Sequence, residues 1–433
     1  MLRIMNRIFV PTFFVFVLHI LLFSATGLAQ SGSLDTTFGN GGIAYVSGQL
    51  GSATSSAMQS DGKILVLSSN PGFGARVVRF NADGTVDEGF GTGGVVALYW
   101  PSKTSGQYGY ARAIVLQNVG GTEKIVLAGY AGVPSKGKLV EGTRVDRLLP
   151  NGSIDTSFGN QGSVVFAGAN ATEQFAVNSV AIQSDQKIVL ANSVALFRLN
   201  ANGSTDSSFG SGGKVSSLIS GSAITSQSDG RILIAGSTTS RKQTLAAVSR
   251  HNANGSVDTS FGSSGKVTAN LGGGRFADVV AAQNGDIYAG GALINPSPGT
   301  IAAAAVRFTS SGQLDASFGS GGFVSFDSPG LNDYCWRIAL QPDGKLLLAG
   351  NTLGGATADF LTVRFDTAGN LDYPFGTSGG SVIDLLGGNE TARGVFVQNA
   401  GTSESPDYRI VLAGSGSAIG GIPQYSFAVR LNY

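Results

Sequence analysis

The stretch Ser33-Leu-Asp35-Thr-Thr-Phe38-Gly39-Asn-Gly-Gly42 contains a phrase, Asp-x-x-Phe-Gly-x-x-Gly, that occurs seven times in the chain. Counted from its phenylalanine, each copy has Asp three residues earlier, Gly directly after and a second Gly four residues later. The seven phenylalanines are Phe38, Phe90, Phe158, Phe209, Phe261, Phe318 and Phe375. They are 51 to 68 residues apart, a spacing typical of an array of similar supersecondary units.

Short apolar runs alternate with turn residues between successive copies. In the first unit the runs are 43–46, 55–59, 63–67 and 75–80, with Asp61-Gly62 between the second and the third. Asp-Gly between two such runs indicates a tight hairpin. No sustained helical periodicity follows residue 30. Each unit therefore predicts four short antiparallel strands.

A column of arginines is displaced relative to the phrase. An arginine stands eleven residues before the phenylalanine in every copy except the first, and Arg430 has no phrase after it. The first copy of the phrase therefore lacks its arginine, and the last arginine lacks its phrase. A linear array does not need two such incomplete units at its ends, whereas a closed ring joins them into one complete unit. The sequence therefore predicts an all-β fold, a seven-bladed β-propeller of four-stranded antiparallel blades. Its ring would be closed by the N-terminal strand, residues 42–46, joining the C-terminal blade.

The same motifs carry a family resemblance over residues 30–433. Variants of Gln-x-Asp-Gly-Lys-Ile, followed by Arg-Phe-Asn-x-x-Gly-x-x-Asp-x-x-Phe-Gly, resemble the delta-60 repeat family of exported bacterial proteins. The resemblance implies a β-propeller and export, and it implies no activity, because the family has no known function. The glutamines aligned in this way are Gln59, Gln117, Gln183, Gln227, Gln283, Gln341 and Gln398. Local departures occur in the turns, where Gln186 replaces the hairpin glycine.

Residues 1–29 have the layout of a secretory signal peptide. Arg3 and Arg7 precede an apolar run, residues 9–23, and the small residues Gly27 and Ala29 follow it. The run is shorter than the roughly 20 residues of a membrane span, although an uncleaved anchor is the alternative. We therefore predict cleavage after Ala29, a propeller over 30–433, and a secreted or cell-envelope protein (periplasm, cell surface or outside) with no stable membrane span.

Charge and reactive side chains give little support to catalysis or nucleic-acid binding. Without residues 1–29, which hold two arginines and no acid, 26 basic and 27 acidic side chains remain, so no nucleic-acid partner is expected. The single cysteine, Cys335, lies in an apolar strand, and His251 occupies an apolar slot after Arg250. No Cys/His metal spacing occurs. We expect a monomer with no cofactor and no metal.

The repeated polar residues have two interpretations. The aspartates could bind calcium, since Asn81-x-Asp83-Gly84-x-x-Asp87 resembles part of a calcium loop, but the final glutamate of such a loop is absent. Alternatively, each Asp accepts N–H groups of its own turn and pairs with the Arg eight residues earlier. A protein needs an active site once, whereas it needs a packing contact in every unit. The repetition of these residues therefore favours a structural role for them. The predicted structural residues are Asp35, Phe38 and Arg430 at the closure, and Arg250, Asp258 and Phe261 within the ring.

The connections that do not repeat are the candidate binding surface. Insertions fall between second and third strands (131–141, 295–300, 415–424) and between units (99–109, 167–175, 327–334). These two loop sets open on the same face of a propeller, where binding is expected. Aromatic platforms suit a surface protein or a glycan, although these rings could instead pack on one another. The candidate binding residues are Tyr99, Trp100, Tyr108, Tyr110, Tyr130, Asp333 and Tyr334.

The sequence favours a non-catalytic exported binding or scaffold propeller that takes its ligand through these loops. One alternative is a carbohydrate-active or other hydrolytic propeller enzyme, with Asp327 and Asp333 as its two carboxylates. The other is a purely structural envelope protein. Gly376-Thr-Ser-Gly-Gly380 matches a nucleophile elbow, but it lies inside the repeated turn with no helix after it.

Overall fold

The protein, in a computed structural model, is a ring of β-sheets. The structure describes residues 30–48, 50–70, 72, 74–102, 109–135, 137–167, 177–295, 299–354, 357–385, 387–417 and 424–433. The predicted signal peptide, 1–29, lies outside these residues. Within them, no helix is long and apolar enough to cross a membrane.

The strands follow the repeat units. The first five sets are β1 (Ile43–Gly48); β2–β5 (Ser52–Met58, Ile64–Asn70, Gly74–Phe80, Val95–Leu98); β6–β9 (Tyr110–Val119, Thr122–Ser135, Lys138–Leu148, Ser163–Ala167); β10–β13 (Ser179–Ile182, Ile188–Ala191, Ala195–Leu199, Lys214–Ser216); and β14–β17 (Ser220–Ser226, Ile232–Ser240, Gln243–His251, Lys266–Ala269). The remaining sets are β18–β21 (Phe276–Ala281, Ile287–Ile294, Ile301–Phe308, Phe323–Phe326); β22–β25 (Asn332–Leu340, Leu346–Gly354, Thr357–Phe365, Gly380–Ile383); and β26–β28 (Asn389–Asn399, Tyr408–Ser417, Gln424–Asn432).

The predicted count of seven separate blades is wrong. Strands β2 to β21 form five separate four-stranded antiparallel blades, while the other eight strands form a single sheet in the order β1-β28-β27-β26-β24-β23-β22, with β25 also paired to β24. The join is a parallel pair between Ala358 and Asn389. The Asn389 side-chain oxygen accepts a hydrogen bond from the Ala358 N–H at 3.1 Å. Backbone pairing thus continues from β24 into β26, which the spacing of the repeat could not reveal.

The N-terminal strand completes the C-terminal sheet. β1 lies antiparallel to β28, with Ile43 opposite Val429 and Gly48 opposite Gln424. This is the closure that the displaced arginine column predicts. Buried Phe38 packs in one cluster with Val411 and other residues near the C-terminal end, so the two chain ends share a hydrophobic core.

The hydrophobic core lies between neighbouring sheets. Leu65 and Leu67 of β3 are fully buried, and they pack in one cluster with Ile125 and Leu127 of β7 in the next blade. Full burial of a leucine is worth roughly 1.5–3 kcal/mol. Sheet-to-sheet packing of this kind explains why the second strand of a unit is apolar on both faces.

The repeated phrase forms the joint between neighbouring units. Arg250 Nε donates a hydrogen bond to Asp258 Oδ2 at 2.7 Å, and the guanidinium lies 4.4 Å from the centre of the Phe261 ring. The Gly262 N–H then donates to the Ser311 carbonyl of the following unit at 2.9 Å. Burial acts to raise the pKa of Asp258, but hydrogen bonds from Ser260 and Arg250 lower it to about 2.

The closure reproduces this joint with residues from both ends of the chain. Arg430 Nε donates to Asp35 Oδ2 at 2.8 Å, and its guanidinium lies 4.9 Å from the centre of the Phe38 ring. At the seventh copy, the Gly376 N–H donates to the Ser31 carbonyl at 2.8 Å. The glycines of the phrase have positive φ, as at Gly39, where a Cβ would lie 2.4 Å from the Ile43 carbonyl oxygen.

The first strands of the units surround a central channel. β2, β6, β10, β14, β18, β22 and β26 each contact the next, and β26 contacts β2. The side chains that these strands direct inward therefore converge from every unit onto one space.

Candidate ligand site at the channel mouth

A cavity of about 440 Å³ lies at one mouth of the channel, and each unit lines it with at least one residue in or directly before its inner strand. One such residue of each unit holds an equivalent position. In six of the inner strands this residue lies at a register shift in the pairing with the second strand. In the other unit it stands directly before β10. The seven residues are Thr54, Arg112, Asn178, Ser222, Ala277, Trp336 and Arg393. A β-bulge re-aims a side chain, which explains how the strands present these residues to the channel. We call them the bulge column.

The bulge column differs from the columns that build the joints. The Asp and the Phe of the phrase are the same in every unit, whereas the bulge column holds six different residue types. A larger cavity of about 760 Å³ is lined by Asp35, Gln59, Gln398 and Arg430, which belong to the repeated columns. Residues that differ from unit to unit can build one asymmetric site, so the smaller cavity is the better candidate.

The cavity opens on the face that carries the variable connections. Ser193, between β11 and β12, and Tyr110, at the start of β6, both line it. Ser193 lies in a connection between a second and a third strand, and Tyr110 directly follows the connection 99–109 between units, which are the two kinds of connection that the sequence places on one face. Ser52 and Ser220 add hydroxyl groups to the wall.

Four arginines line the cavity, Arg112, Arg275, Arg337 and Arg393, and no acidic residue does. Among the described residues none of them forms an ion pair with a carboxylate. Burial and the neighbouring Arg337 lower the pKa of Arg393 to about 10. The arginine cluster therefore gives the channel mouth a concentrated positive charge.

Two aromatic stacks hold two of these arginines. The Tyr334 and Trp336 rings are parallel, 5.6 Å apart, and the Arg393 guanidinium lies 4.5 Å from the Trp336 ring centre. The Tyr110 and Tyr130 rings stack at 6.0 Å, and Arg112 lies 5.7 Å from each. The cavity wall thus combines flat rings, hydroxyl groups and cations.

The predicted aromatic cluster is divided by the structure. Tyr110 lines the cavity, and Tyr130 stacks on it. Tyr99 is 61% exposed, with the Arg76 guanidinium 4.9 Å from its ring. Trp100 is only 1% exposed, and its Nε1 donates to Asp146 Oδ2 at 2.6 Å. Trp100 therefore belongs to the core between blades and offers no ring to a ligand, while Tyr108 lies outside the described residues.

The two predicted acidic candidates are engaged in loops away from the channel mouth, Asp333 with its own turn and Asp327 with the connection between β19 and β20. Asp333 is fully buried and accepts the Ser328 N–H, so its carboxylate does not reach the channel mouth. Asp327 accepts from Asn295 Nδ2 at 2.9 Å. Tyr334, the neighbour of Asp333, lines a separate cavity beside the channel together with Trp336.

Part of the predicted variable surface is regular strand. Residues 131–141 were expected as a loop, but Ala131–Ser135 extend β7 and Lys138–Glu141 extend β8, with Ala131 paired to Gly142 and Ser135 to Lys138. The second blade therefore carries a long hairpin at this place.

The remaining reactive groups lie in the core. His251 is fully buried, its Nδ1 lies 3.0 Å from the Gly255 carbonyl oxygen, and burial lowers its pKa. Cys335 is buried, and burial raises the pKa of its thiol.

Asp359, Asp384 and Glu390 place carboxylate oxygens within 4.8 Å of one another, the spacing that a metal ion would need. Acidic groups often gather without an ion, and we assign no metal to this cluster.

Sequence reasoning missed the bulge column. Its members stand five residues before the aligned glutamine in six units, for example Arg112 before Gln117 and Arg393 before Gln398. In the fifth unit the hairpin begins at Ala282, whose N–H donates to the Asp286 carbonyl, so Gln283 is one residue out of register and exposed. The available signal was a column with six residue types in seven units, close to the Asp and Phe columns, which hold one type each.

Comparison with a family model supports a β-propeller repeat family. Residues 59–90, 183–209, 227–261 and 341–375 match the model "Domain of unknown function (DUF5122) beta-propeller". Each matched stretch begins at the aligned glutamine and ends at the phenylalanine of the phrase. No curated protein matches the chain.

Several solved structures are similar at low identity. A protein of unknown function from Bacteroides caccae is 12% identical, with a TM-score of 0.40, over 75% of this chain and 100% of that one. Drosophila Plexin A, in complex with Semaphorin 1b, is 9% identical, with a TM-score of 0.45, over 93% and 87%. Sqt1 from Chaetomium thermophilum is 13% identical, with a TM-score of 0.42, over 94% and 100%. None of these likenesses carries an argument about function.

Proposed function

We propose that this chain is an exported, non-catalytic binding propeller of the delta-60 repeat type, and that it binds a glycan at the channel mouth. The observation that carries the proposal is the bulge column, which brings seven non-repeated positions to one cavity of about 440 Å³. That volume lies in the range of pockets for small ligands, roughly 300–1,000 Å³. Export rests on the signal peptide predicted over 1–29, and we propose a monomer.

The chemistry of the wall favours a sugar. Tyr110 and Trp336 line the cavity, and each belongs to an aromatic stack. An aromatic face packs against the apolar face of a sugar ring, while at the edge of the ring hydroxyls donate and accept hydrogen bonds and arginines donate them. Of the predicted residues, Tyr110, Tyr130 and Tyr334 stay in the proposed site, with Tyr99 on the surface nearby. Trp100 and Asp333 take structural roles in the proposal.

The test is glycan binding by the purified chain, first on a glycan array and then by calorimetry with the sugars that bind. We expect Tyr110→Ala and Trp336→Ala each to weaken binding about tenfold or more, because each removes a platform in the cavity. Tyr373→Ala is the matched control, since Tyr373 is 68% exposed and does not line the cavity.

Thermal melts of all three variants separate lost binding from lost folding. Wild-type affinity in Tyr373→Ala, with weak binding by folded Tyr110→Ala and Trp336→Ala, supports the proposal. No binding of any sugar by the wild-type chain, or equal effects of the three substitutions, contradicts it.

A further inference from the structure

The arginine cluster is uncompensated within the cavity. Its four members enter from three inner strands and the residue before a fourth: β6 holds Arg112, β22 holds Arg337 and β26 holds Arg393, while Arg275 directly precedes β18. The lining contains no carboxylate. Like charges gathered in a concave site repel one another, and an anion placed among them relieves that repulsion.

Asp278 lies near the arginine cluster, but its carboxylate accepts hydrogen bonds from the backbone. Asp278 lies close enough for Arg337 to lower its pKa, although burial raises that pKa more strongly. Its Oδ2 accepts the Ile338 N–H at 3.0 Å, and its Oδ1 accepts the Val279 N–H at 3.0 Å. Asp278 forms no ion pair with the cluster and does not line the cavity.

The aromatic stacks hold the guanidinium groups without using up their N–H donors. Arg393 lies over Trp336 and Arg112 lies beside Tyr110 and Tyr130, in contacts that involve the ring faces. A guanidinium so placed keeps its planar fork of donors for a carboxylate or sulfate. The same rings provide a surface for the rest of the ligand.

We infer that the ligand taken at the channel mouth is an acidic glycan, whose carboxylate or sulfate group lies among Arg112, Arg275, Arg337 and Arg393. The inference rests on the proposed function and specifies the chemistry of its substrate class. Neutral sugars would leave the arginine cluster unmatched, and an acidic peptide would leave the two aromatic platforms and the hydroxyls of the wall without a sugar ring to contact.

The test compares a galacturonate trimer with the methyl ester of the same trimer, which has the same rings and no charge. We expect the acidic trimer to bind about tenfold more tightly or better, since charge-assisted hydrogen bonds are roughly twice as strong as neutral ones. Its affinity should fall as salt rises from about 50 to about 300 mM, because two of the arginines, Arg112 and Arg275, are exposed to solvent. A glucuronate trimer and a sulfated disaccharide distinguish carboxylate from sulfate as the preferred group.

Arg393→Gln should bring the affinity for the acidic trimer close to that of the methyl ester. Arg393→Lys keeps the charge and loses the fork, so it should lie between the two. Lys138→Gln is the matched control, because it removes the same charge from an exposed residue at the end of the long hairpin. A thermal melt of Arg393→Gln checks that the ring still folds, because the substitution removes the contact with the Trp336 ring although Arg393 has no ion pair to lose among the described residues.

The outcomes separate the inference from the proposed function. Equal binding of the acidic and esterified trimers, or equal effects of Arg393→Gln and Lys138→Gln, overturns the inference and leaves glycan binding standing. Binding of polyglutamate without binding of any sugar overturns both. Preference for any of the acidic sugars, lost in Arg393→Gln and kept in Lys138→Gln, supports both.

Discussion

At the scale of single residues, one arginine per unit makes most of the joint. Arg250 is 2% exposed, and it contacts Asp258, the Phe261 ring and the Ser310 carbonyl of the next unit. Removing one partner of such a buried cation costs more free energy than removing one partner of an exposed ion pair, because it leaves an uncompensated charge in the core. The repeated phrase is thus an ion pair, a ring contact and a backbone hydrogen bond in one motif.

We expect Arg250→Ala and Asp258→Ala to lower the free energy of unfolding by about 3–5 kcal/mol each, and the double variant to cost less than their sum by about 1–3 kcal/mol. The folded pKa of Asp258, about 2, lies below the value of about 3.9 in an unfolded chain. The stabilisation is therefore complete above the unfolded pKa and is lost as the pH falls toward 2. Urea unfolding at pH 7 and at about pH 2.5 measures both effects.

Arg250→Ala combined with Asp315→Ala is the control cycle. Asp315 holds the same place in the next unit but pairs with Arg307 at 2.7 Å, so these two changes should add within about 0.5 kcal/mol. Simple additivity in the Arg250–Asp258 cycle as well would show that the contact does not couple the two residues.

Residue roles could be predicted only where they repeat. Arg430 and Asp35 are identified from columns that recur in every unit, so their 2.8 Å contact follows from the alignment. Trp100 has no such column, and its burial depends on Asp146 in β8, which accepts its indole N–H. A single aromatic residue in a variable stretch looks the same in sequence whether it faces solvent or core.

At the scale of elements, each turn is built to receive the phenylalanine of the preceding unit. A Cβ on Gly312 would lie 2.8 Å from the Phe261 ring and 2.9 Å from the Gly262 nitrogen. Comparable contacts join Gly255 to Phe209 and, at the ring closure, Gly32 to Phe375. The glycine of the turn therefore fits under the neighbouring ring as well as supplying positive φ.

Gly312→Ala should destabilise the fold more than Gly321→Ala. Both residues have positive φ, +84° and +62°, and the backbone penalty of about 1–2 kcal/mol applies to each. Only Gly312 has neighbours within 4 Å of the added Cβ, and the resulting overpacking should cost a further 1–3 kcal/mol, approximately. Thermal or urea unfolding of the two variants gives the difference.

The contact itself can be isolated in a Phe261→Ala background, where the added methyl group of Gly312→Ala no longer meets a ring. The excess cost over Gly321→Ala should then shrink. An unchanged excess would mean that the backbone, and not the phenylalanine, limits the size of the turn residue.

Strands could be predicted where turn chemistry brackets them, and bulges could not. Asp61-Gly62 predicts the hairpin between β2 and β3, and Gly62 indeed has a φ of +82°. The register shift beside Arg112 depends on how β6 pairs with β7, so no local sequence pattern predicts it. For the same reason, sequence reasoning treated residues 131–141 as a loop, although the two strands simply run on.

At the scale of the whole molecule, closure and blade count have different origins. Closure follows from half-units at the two ends of the chain, which the sequence displays. The number of separate blades depends on whether strands of neighbouring units hydrogen-bond, and one pair, Ala358 with Asn389, joins eight strands into a single sheet. The channel mouth likewise belongs to the whole ring, because its lining comes from every unit.

The ring closure can be tested by removing the N-terminal segment from the chain and adding it back as a separate peptide. A chain that starts at residue 49 lacks β1, Phe38 and the partner of Arg430, and it leaves the edge of β28 unpaired. We expect its melting temperature to fall, and a peptide of residues 30–48 to raise it again in a concentration-dependent way, because the peptide binds only the folded ring. The same peptide with Asp35→Ala and Phe38→Ala keeps the strand and loses the joint, so it should stabilise much less. If both peptides act alike, strand pairing alone closes the ring; if neither acts and the shortened chain melts like the full one, the ring does not depend on this clasp.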